Sequence, residues 1–396
     1  MVFNIFSGYN YFIYLLLVLV AFILIDAQDI IYSSFKNIPL AICIMVGLPM
    51  AFLGLINGVR PRRATSVYVA FLVYSAYGIY FNTMTGQPSG LNTQILYTSM
   101  IGLIFPFISS RKVTIPIVKI LYAVSLLMCI LAIFYNGLLG FNYMTHERIF
   151  IASFVYSIPK LKKKKRLSYF GFLVFGAVIL LDPRTTSLIA FVITIALTLL
   201  LERTASQRFI FLSSVSAGIS VIFITYVVDW IKNINSNFKQ ATGGTDNNVF
   251  REGMISVGLQ KYSESPVFGS FFKYGGAYEP PQVVYINSST VANILPLHND
   301  YLEIMVSGGI IGLVLFLICF FLPVVNYLNN RDYIFNEEKI AGDSLFISVI
   351  IGATTIAFNP VMNSSRSGFM LTVLSAVLLY ISGISARRGR FVLSKS

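Results

Sequence analysis

An all-α polytopic membrane protein with about twelve transmembrane helices is the fold class this sequence predicts from its apolar runs. Three observations carry the prediction. The 396 residues are 56% hydrophobic and 11% charged, whereas a soluble domain carries about 25% charged residues. Apolar runs of about 18 residues or more recur along the whole chain, each long enough to cross a bilayer as a helix. The basic residues, finally, are not scattered but gather in every second connection between those runs. Continuous runs also argue against a β-barrel, whose strands alternate apolar and polar residues in short segments.

The spans fall in order at 10–31, 38–57, 64–83, 92–109, 114–135, 143–159, 167–181, 185–201, 208–230, 299–327, 340–358 and 367–386. The first has no basic residue before it and no small-residue cleavage pattern, so it reads as a retained span and not a signal peptide. With the N-terminus inside, the cytoplasmic connections hold Arg60, Arg62 and Arg63; Arg111 and Lys112; the run KLKKKKR from Lys160 to Arg166; Arg203 and Arg208; Arg331 and Lys339; and Arg387, Arg388, Arg390 and Lys395. These are 19 of the 29 lysines and arginines. This is the positive-inside pattern, so the net charge of +13 sets topology and does not point to nucleic acid. KLKKKKR reads as a stop-transfer and headgroup anchor. Both termini are then cytoplasmic. The spans hold few charges beyond Asp26, Asp29 and Lys119.

Cys43, Cys129 and Cys319 all lie inside spans. An odd number, dispersed, makes neither a disulfide framework nor a metal cluster. The chain is read as one integral membrane domain, 1–396, interrupted by a single long outer connection at 231–297 between the ninth and tenth spans. Long connections in compact architectures are functional or disordered. This one has helical periodicity in VFREGMISVGLQKYSESPVFG, where Val249, Phe250, Met254, Val257 and Tyr262 recur. Asp246 to Asn248 offer N-caps ahead of it, and Ser265–Pro266 ends it. An amphipathic helix along the outer membrane surface is expected. There is no internal repeat of the kind that marks many transporters.

Familiar enzyme signatures are missing. Two distant histidines without HExxH or CxxC do not make a zinc site, and no P-loop sequence occurs. Neither metal nor cofactor is expected, and the energy for any reaction has to come from an activated substrate. What stands out is a set of arginines on the outer side, where the charge rule disfavours them: Arg148 in MTHERIF, Arg184 in DPRTTS, Arg251 at the head of the loop helix and Arg366 in NPVMNSSRSG. Each can snorkel to headgroups. Two or three converging would instead grip the paired oxygens of a lipid-linked pyrophosphate.

LPLHNDYLEIMVSGGIIGLVLFL, Leu295 to Leu317, also admits two readings. At 100° per residue His298, Leu302, Met305 and Gly309 share one helix face, and Asn299 and Glu303 share its neighbour. Gly308 and Gly312 have the small-xxx-small spacing that admits a close neighbour. In one reading HND is a helix N-terminus capped by Asn299 or Asp300. In the other His298, with an ordinary pKa near 6.5, is a base beside those arginines.

The ordered set DPRTTSLIAF, FREGMISVGLQKYSESPVFG and HNDYLEIMVSGGIIGL resembles the O-antigen polymerase and O-antigen ligase superfamily, the Wzy-type membrane glycosyltransferases. The likeness covers about Asp182 to Leu317, and the many-span layout extends it. It implies a metal-independent transferase of GT-C-like layout acting on undecaprenyl-pyrophosphate-linked oligosaccharide repeat units at the periplasmic face of a bacterial inner membrane. By that resemblance Arg184 and Arg251 hold the pyrophosphate and His298 is the base. Arg366, Arg148, Asn299 and Glu303 are the further substrate-binding candidates. The family run more often reads acidic-x-Gly ahead of its glycine tail; here it reads Val306-Ser307-Gly308-Gly309, so no catalytic carboxylate is assigned there. The bottom-up chemistry is compatible: fixed arginines neutralise a leaving pyrophosphate without a metal, and an imidazole relieves an acceptor hydroxyl of its proton.

Three functions remain at this level. A polymerase moves the growing chain onto another carrier-linked repeat, and is favoured because two pyrophosphate lipids would give Arg148 and Arg366 a use. A ligase moves the finished chain onto lipid A–core. A transporter of the same lipid-linked sugars would need charges along a path through the bilayer. Partners implied are the lipid-linked repeats, membrane lipid and a chain-length regulator protein, with no nucleic acid.

Overall fold

The computed structural model describes residues 63–85, 93–104, 111–138, 147–181, 185–202, 258–270, 272, 285–286, 289–290, 299–334, 336–357, 361–362 and 365–393. Among them the chain is helical almost throughout. The long helices are α1 (Arg63–Met84), α2 (Thr93–Ile104), α3 (Arg111–Ala132), α4 (Glu147–Leu161), α5 (Lys165–Leu180), α6 (Thr185–Glu202), α7 (Asp300–Asn330), α8 (Asn336–Ile356) and α9 (Ser365–Leu393). A π-helical turn, Ile133–Leu138, continues α3. A shorter helix occupies 258–264. The described strands are a minimal antiparallel pair, β1 (Tyr285–Ile286) and β2 (Ser289–Thr290), with Tyr285 opposite Thr290.

Each long helix coincides with a span expected from the apolar runs; the expected spans 10–31, 38–57 and 208–230 lie outside the described residues. Among the described residues, three stretches are long and apolar enough to cross a membrane: Ile117–Tyr135, Asp300–Tyr333 and Glu337–Ile356. Thr186–Glu202 and Met370–Gly383 are shorter apolar helices. The run 92–109 predicts a full span; α2 is described over Thr93–Ile104, and 105–109 lie outside the described residues.

Helix α4 packs against α3, α5, α6 and α8, while α9 packs against α2, α7 and α8, and α1 against α2 and α7. Large rings fill the interior: Tyr97, Phe150, Phe154, Phe175, Phe316, Phe320 and Tyr327 are fully buried. The outside is apolar as well, with Val73, Tyr77 and Met84 on α1, Leu173 and Leu180 on α5, and Val314 and Ile318 on α7 exposed. Helices apolar on every face suit lipid and not water. Pro323 lies inside α7 and has no N–H to give the carbonyl of Cys319 four residues back. The hydroxyl of Tyr68 on α1 donates to that carbonyl instead, at 2.8 Å. A proline defect thereby becomes a bond between helices. Cys129 and Cys319 are buried free thiols, in keeping with a packing role; Cys43 lies outside the described residues.

KLKKKKR is a tight turn between α4 and α5. Lys163 takes a left-handed backbone, φ 54°, and the N–H of Lys164 donates to Pro159 O at 3.0 Å. Lys160 reaches Glu202 at the end of α6, 3.7 Å away. At this same end Arg331 is not an interfacial topology charge. It is buried and grips Asp343 of α8 with Nε to Oδ1 at 2.6 Å and Nη2 to Oδ2 at 2.9 Å. Its Nη2 also donates to Leu201 O of α6 at 3.3 Å, and the Tyr327 hydroxyl donates to Asp343 Oδ1 at 2.7 Å. The expectation that spans carry few charges beyond Asp26, Asp29 and Lys119 therefore needs correcting. Asp300, Glu303, Arg331 and Asp343 are all buried in the bundle. Lysine or carboxylate residues near a helix end read as interfacial until a partner on another helix is known; Arg331 supplies that partner for Asp343.

Candidate functional site

The opposite end of the bundle gathers the C-terminal end of α1 and the N-terminal ends of α2, α4, α7 and α9. Helix α7 begins where its sequence suggests. Asn299 has an extended backbone and its side chain accepts the N–H of Leu302 at 3.0 Å, so Asn299 is the N-cap and leaves one fewer orphan donor at the helix start. The capping reading of HND is correct for Asn299. It is not correct for Asp300, which occupies the first helical position and is completely buried.

Asp300 ties three segments together. Its Oδ1 accepts Nε2 of Gln94 from the first turn of α2 at 2.9 Å. Its Oδ2 accepts the backbone N–H of Met362, just ahead of α9, also at 2.9 Å. A carboxylate held by two donors from two other segments fixes their relative positions and is occupied as an acceptor. Next to it, the Tyr301 hydroxyl donates to Ala353 O near the end of α8 at 3.0 Å. Glu303 is one turn further along α7, buried and engaged, and its carbonyl accepts the Ser307 hydroxyl at 2.8 Å. Negative side chains in the first turn of a helix are favoured by its dipole, so Asp300 and Glu303 suit this position electrostatically.

The sequence-derived candidates fare as follows. Arg148 lies in the first turn of α4 with 4% of its surface exposed and engaged inside the bundle, which rules out simple snorkelling for it. Arg366 is the second residue of α9. Asn299 and Glu303 sit on α7 as described. Arg184, Arg251 and His298 lie outside the described residues; Arg184 directly precedes α6, and His298 directly precedes the Asn299 cap. Gln94 escaped the sequence reading, and Asp300 entered it only as a possible cap. The available signal was a carboxylate inside an apolar helix, which in a membrane is a functional or structural centre by default.

The long connection reaches the same end of α7. Its helix at 258–264 stops at Ser265–Pro266 as expected, while Val249, Phe250, Met254 and Val257 lie outside the described residues. Tyr262 packs with Met305 against Leu302 and Val306. The α7 face that the sequence assigns to His298, Leu302 and Met305 is thus the face met by the loop helix. Gly308 and Gly312 do admit close neighbours, namely the rings of Phe272 from the connection and Tyr74 from α1.

The sequence model of a family described as O-antigen ligase matches residues 169–317. The matched stretch runs from α5 through α6 and the long connection into α7, and so includes Arg184, Arg251, His298 and the Asp300 tie. It supports the superfamily that the HNDYLEIMVSGG run resembles, and it does not separate polymerase from ligase. Among curated proteins none matches the chain.

Proposed function

We propose that the protein is an O-antigen polymerase, a membrane glycosyltransferase of lipopolysaccharide biosynthesis. It transfers the growing glycan from undecaprenyl pyrophosphate onto another lipid-linked repeat unit, without metal, at the periplasmic face of the inner membrane. The observation that carries this reading is the likeness of residues 169–317 to the O-antigen ligase family, over the stretch that holds Arg184, Arg251 and His298 in order. In the proposed reaction the bond from the donor's anomeric carbon to the pyrophosphate oxygen breaks. A bond forms from that carbon to the acceptor hydroxyl oxygen, whose proton passes to His298. Undecaprenyl pyrophosphate leaves, its charge held by Arg184 and Arg251. Arg148 and Arg366 bind the second lipid-linked substrate, Asn299 and Glu303 are further substrate-binding residues, and a chain-length regulator acts as partner.

Ligation onto lipid A–core is the second reading, favoured by the family's description. The lipopolysaccharide of a strain lacking this protein distinguishes them. Core carrying a single repeat unit is expected; core without any repeat would show a ligase instead. Elongation of a synthetic pyrophosphate-linked repeat by protein in detergent, with no membrane to cross, excludes pure transport.

A further inference from the structure

Helix α7 is broken at Gly309, whose φ of 62° and ψ of −166° lie outside helical space. Non-helical backbone at bilayer depth survives only where protein satisfies its polar groups. Here the satisfaction comes from the long connection. The N–H groups of Ile310 and Ile311, which an unbroken helix would direct to Val306 and Ser307, donate to Pro266 O at 2.9 Å and Val267 O at 3.4 Å. The carbonyls of Val306 and Ser307 accept instead from Ser270 N at 3.0 Å and Phe272 N at 2.9 Å. Residues 265–270 and 272 are spliced into the helix.

The splice is built for close backbone approach. Gly269 has φ 63°, and a Cβ on it would strike Gly309 N and Val306 O; a Cβ on Gly309 would strike Val267 O. Phe272 takes φ 60° and is 2% exposed, a backbone that is strained for a bulky residue and persists only where its surroundings hold it. Those surroundings are Ser307 O and the edge-on ring of Tyr74, 5.8 Å between centroids. Helix α1 braces both sides: the Tyr74 hydroxyl donates to Gly308 O at 2.8 Å and Asn82 Nδ2 to Ser270 O at 3.4 Å. Gly309 is nine residues below the start of α7, about 13 Å along the axis.

We infer that residues 265–270 and 272 are a re-entrant clamp that positions the helical segment 258–264 of the long connection against the first turns of α7. The inference rests on the function proposed above. Gly269 and Gly309 are positioning residues: they hold two parts of the site in register and touch no substrate. The test is hydrogen exchange at the amides of Ser270, Phe272, Ile310 and Ile311, with transfer kinetics measured per folded, monodisperse protein. Gly269→Ala opens the clamp. The double variant Tyr74→Phe with Asn82→Ala loosens it without adding an atom, should Gly269→Ala not fold. The expected result is slow exchange at all four amides in the wild type and about tenfold faster exchange in the variants. Turnover should fall about tenfold with donor KM unchanged, because misalignment removes transition-state and not ground-state stabilisation. Fast exchange in the wild type, or full turnover with the clamp open, overturns the inference. A wild type that transfers no glycan overturns the function itself and the positioning role with it, a result distinct from uncoupled clamp and turnover in an active protein.

Discussion

Asp343 accepts from Arg331 Nε, Arg331 Nη2 and the Tyr327 hydroxyl, in a helix that is otherwise apolar enough to cross a membrane. Removing one member of a buried, hydrogen-bonded ion pair strands the other charge, at a cost of about 3–5 kcal/mol. Asp343→Ala is expected to lower the thermal unfolding temperature in detergent sharply. Tyr327→Phe, which removes one neutral donor, should cost about 1 kcal/mol. Equal shifts for the two would mean that the pair is hydrated in solution. This centre was not legible in the sequence, because Arg331 falls in a connection between spans and Asp343 near a helix start, where both look interfacial. Only the folding of α7 back along α8 brings them together. Asn299 is the contrary case: a cap depends on the next three residues, and local sequence narrowed it to Asn299 or Asp300.

At the scale of elements, the loop helix and the first turns of α7 form one unit, joined by Tyr262 on Leu302 and Val306 and by the splice at Gly309. The Ser265–Pro266 stop and the glycine tail of HNDYLEIMVSGG were each legible as local features. That the first inserts into the second was not, since the pairing depends on a connection of more than thirty residues between them. Arg251→Ala and Arg184→Ala are expected to reduce polymer nearly to nothing on lipopolysaccharide gels while the protein stays in the membrane. Wild-type ladders from either variant would remove the pyrophosphate role. His298→Ala should be equally severe if His298 takes the acceptor proton; a mild loss would leave it as the residue before a cap.

For the whole molecule, the segregation of basic residues agrees with how the bundle is assembled. The KLKKKKR turn, Glu202 and the Arg331 centre share one end. Gln94, Asp300 and Met362 meet at the other, where the sequence puts the outer connections. In a background without Cys43, Cys129 and Cys319, a cysteine at Asn287 is expected to react with an impermeant maleimide added outside intact spheroplasts. A cysteine at Lys163 should react only after permeabilisation, and the opposite pattern would invert the topology. By itself the sequence determined the helical class and where the described helices fall, and its charge placement set the expected sidedness, because apolar run length and charge are properties counted along the chain. Tertiary structure alone decided which carboxylates are buried, which carbonyl a proline frees for Tyr68, and where the long connection docks. Those depend on hydrogen bonds between residues 12 to 251 positions apart, and in an apolar bundle a buried polar group left without a partner is costly.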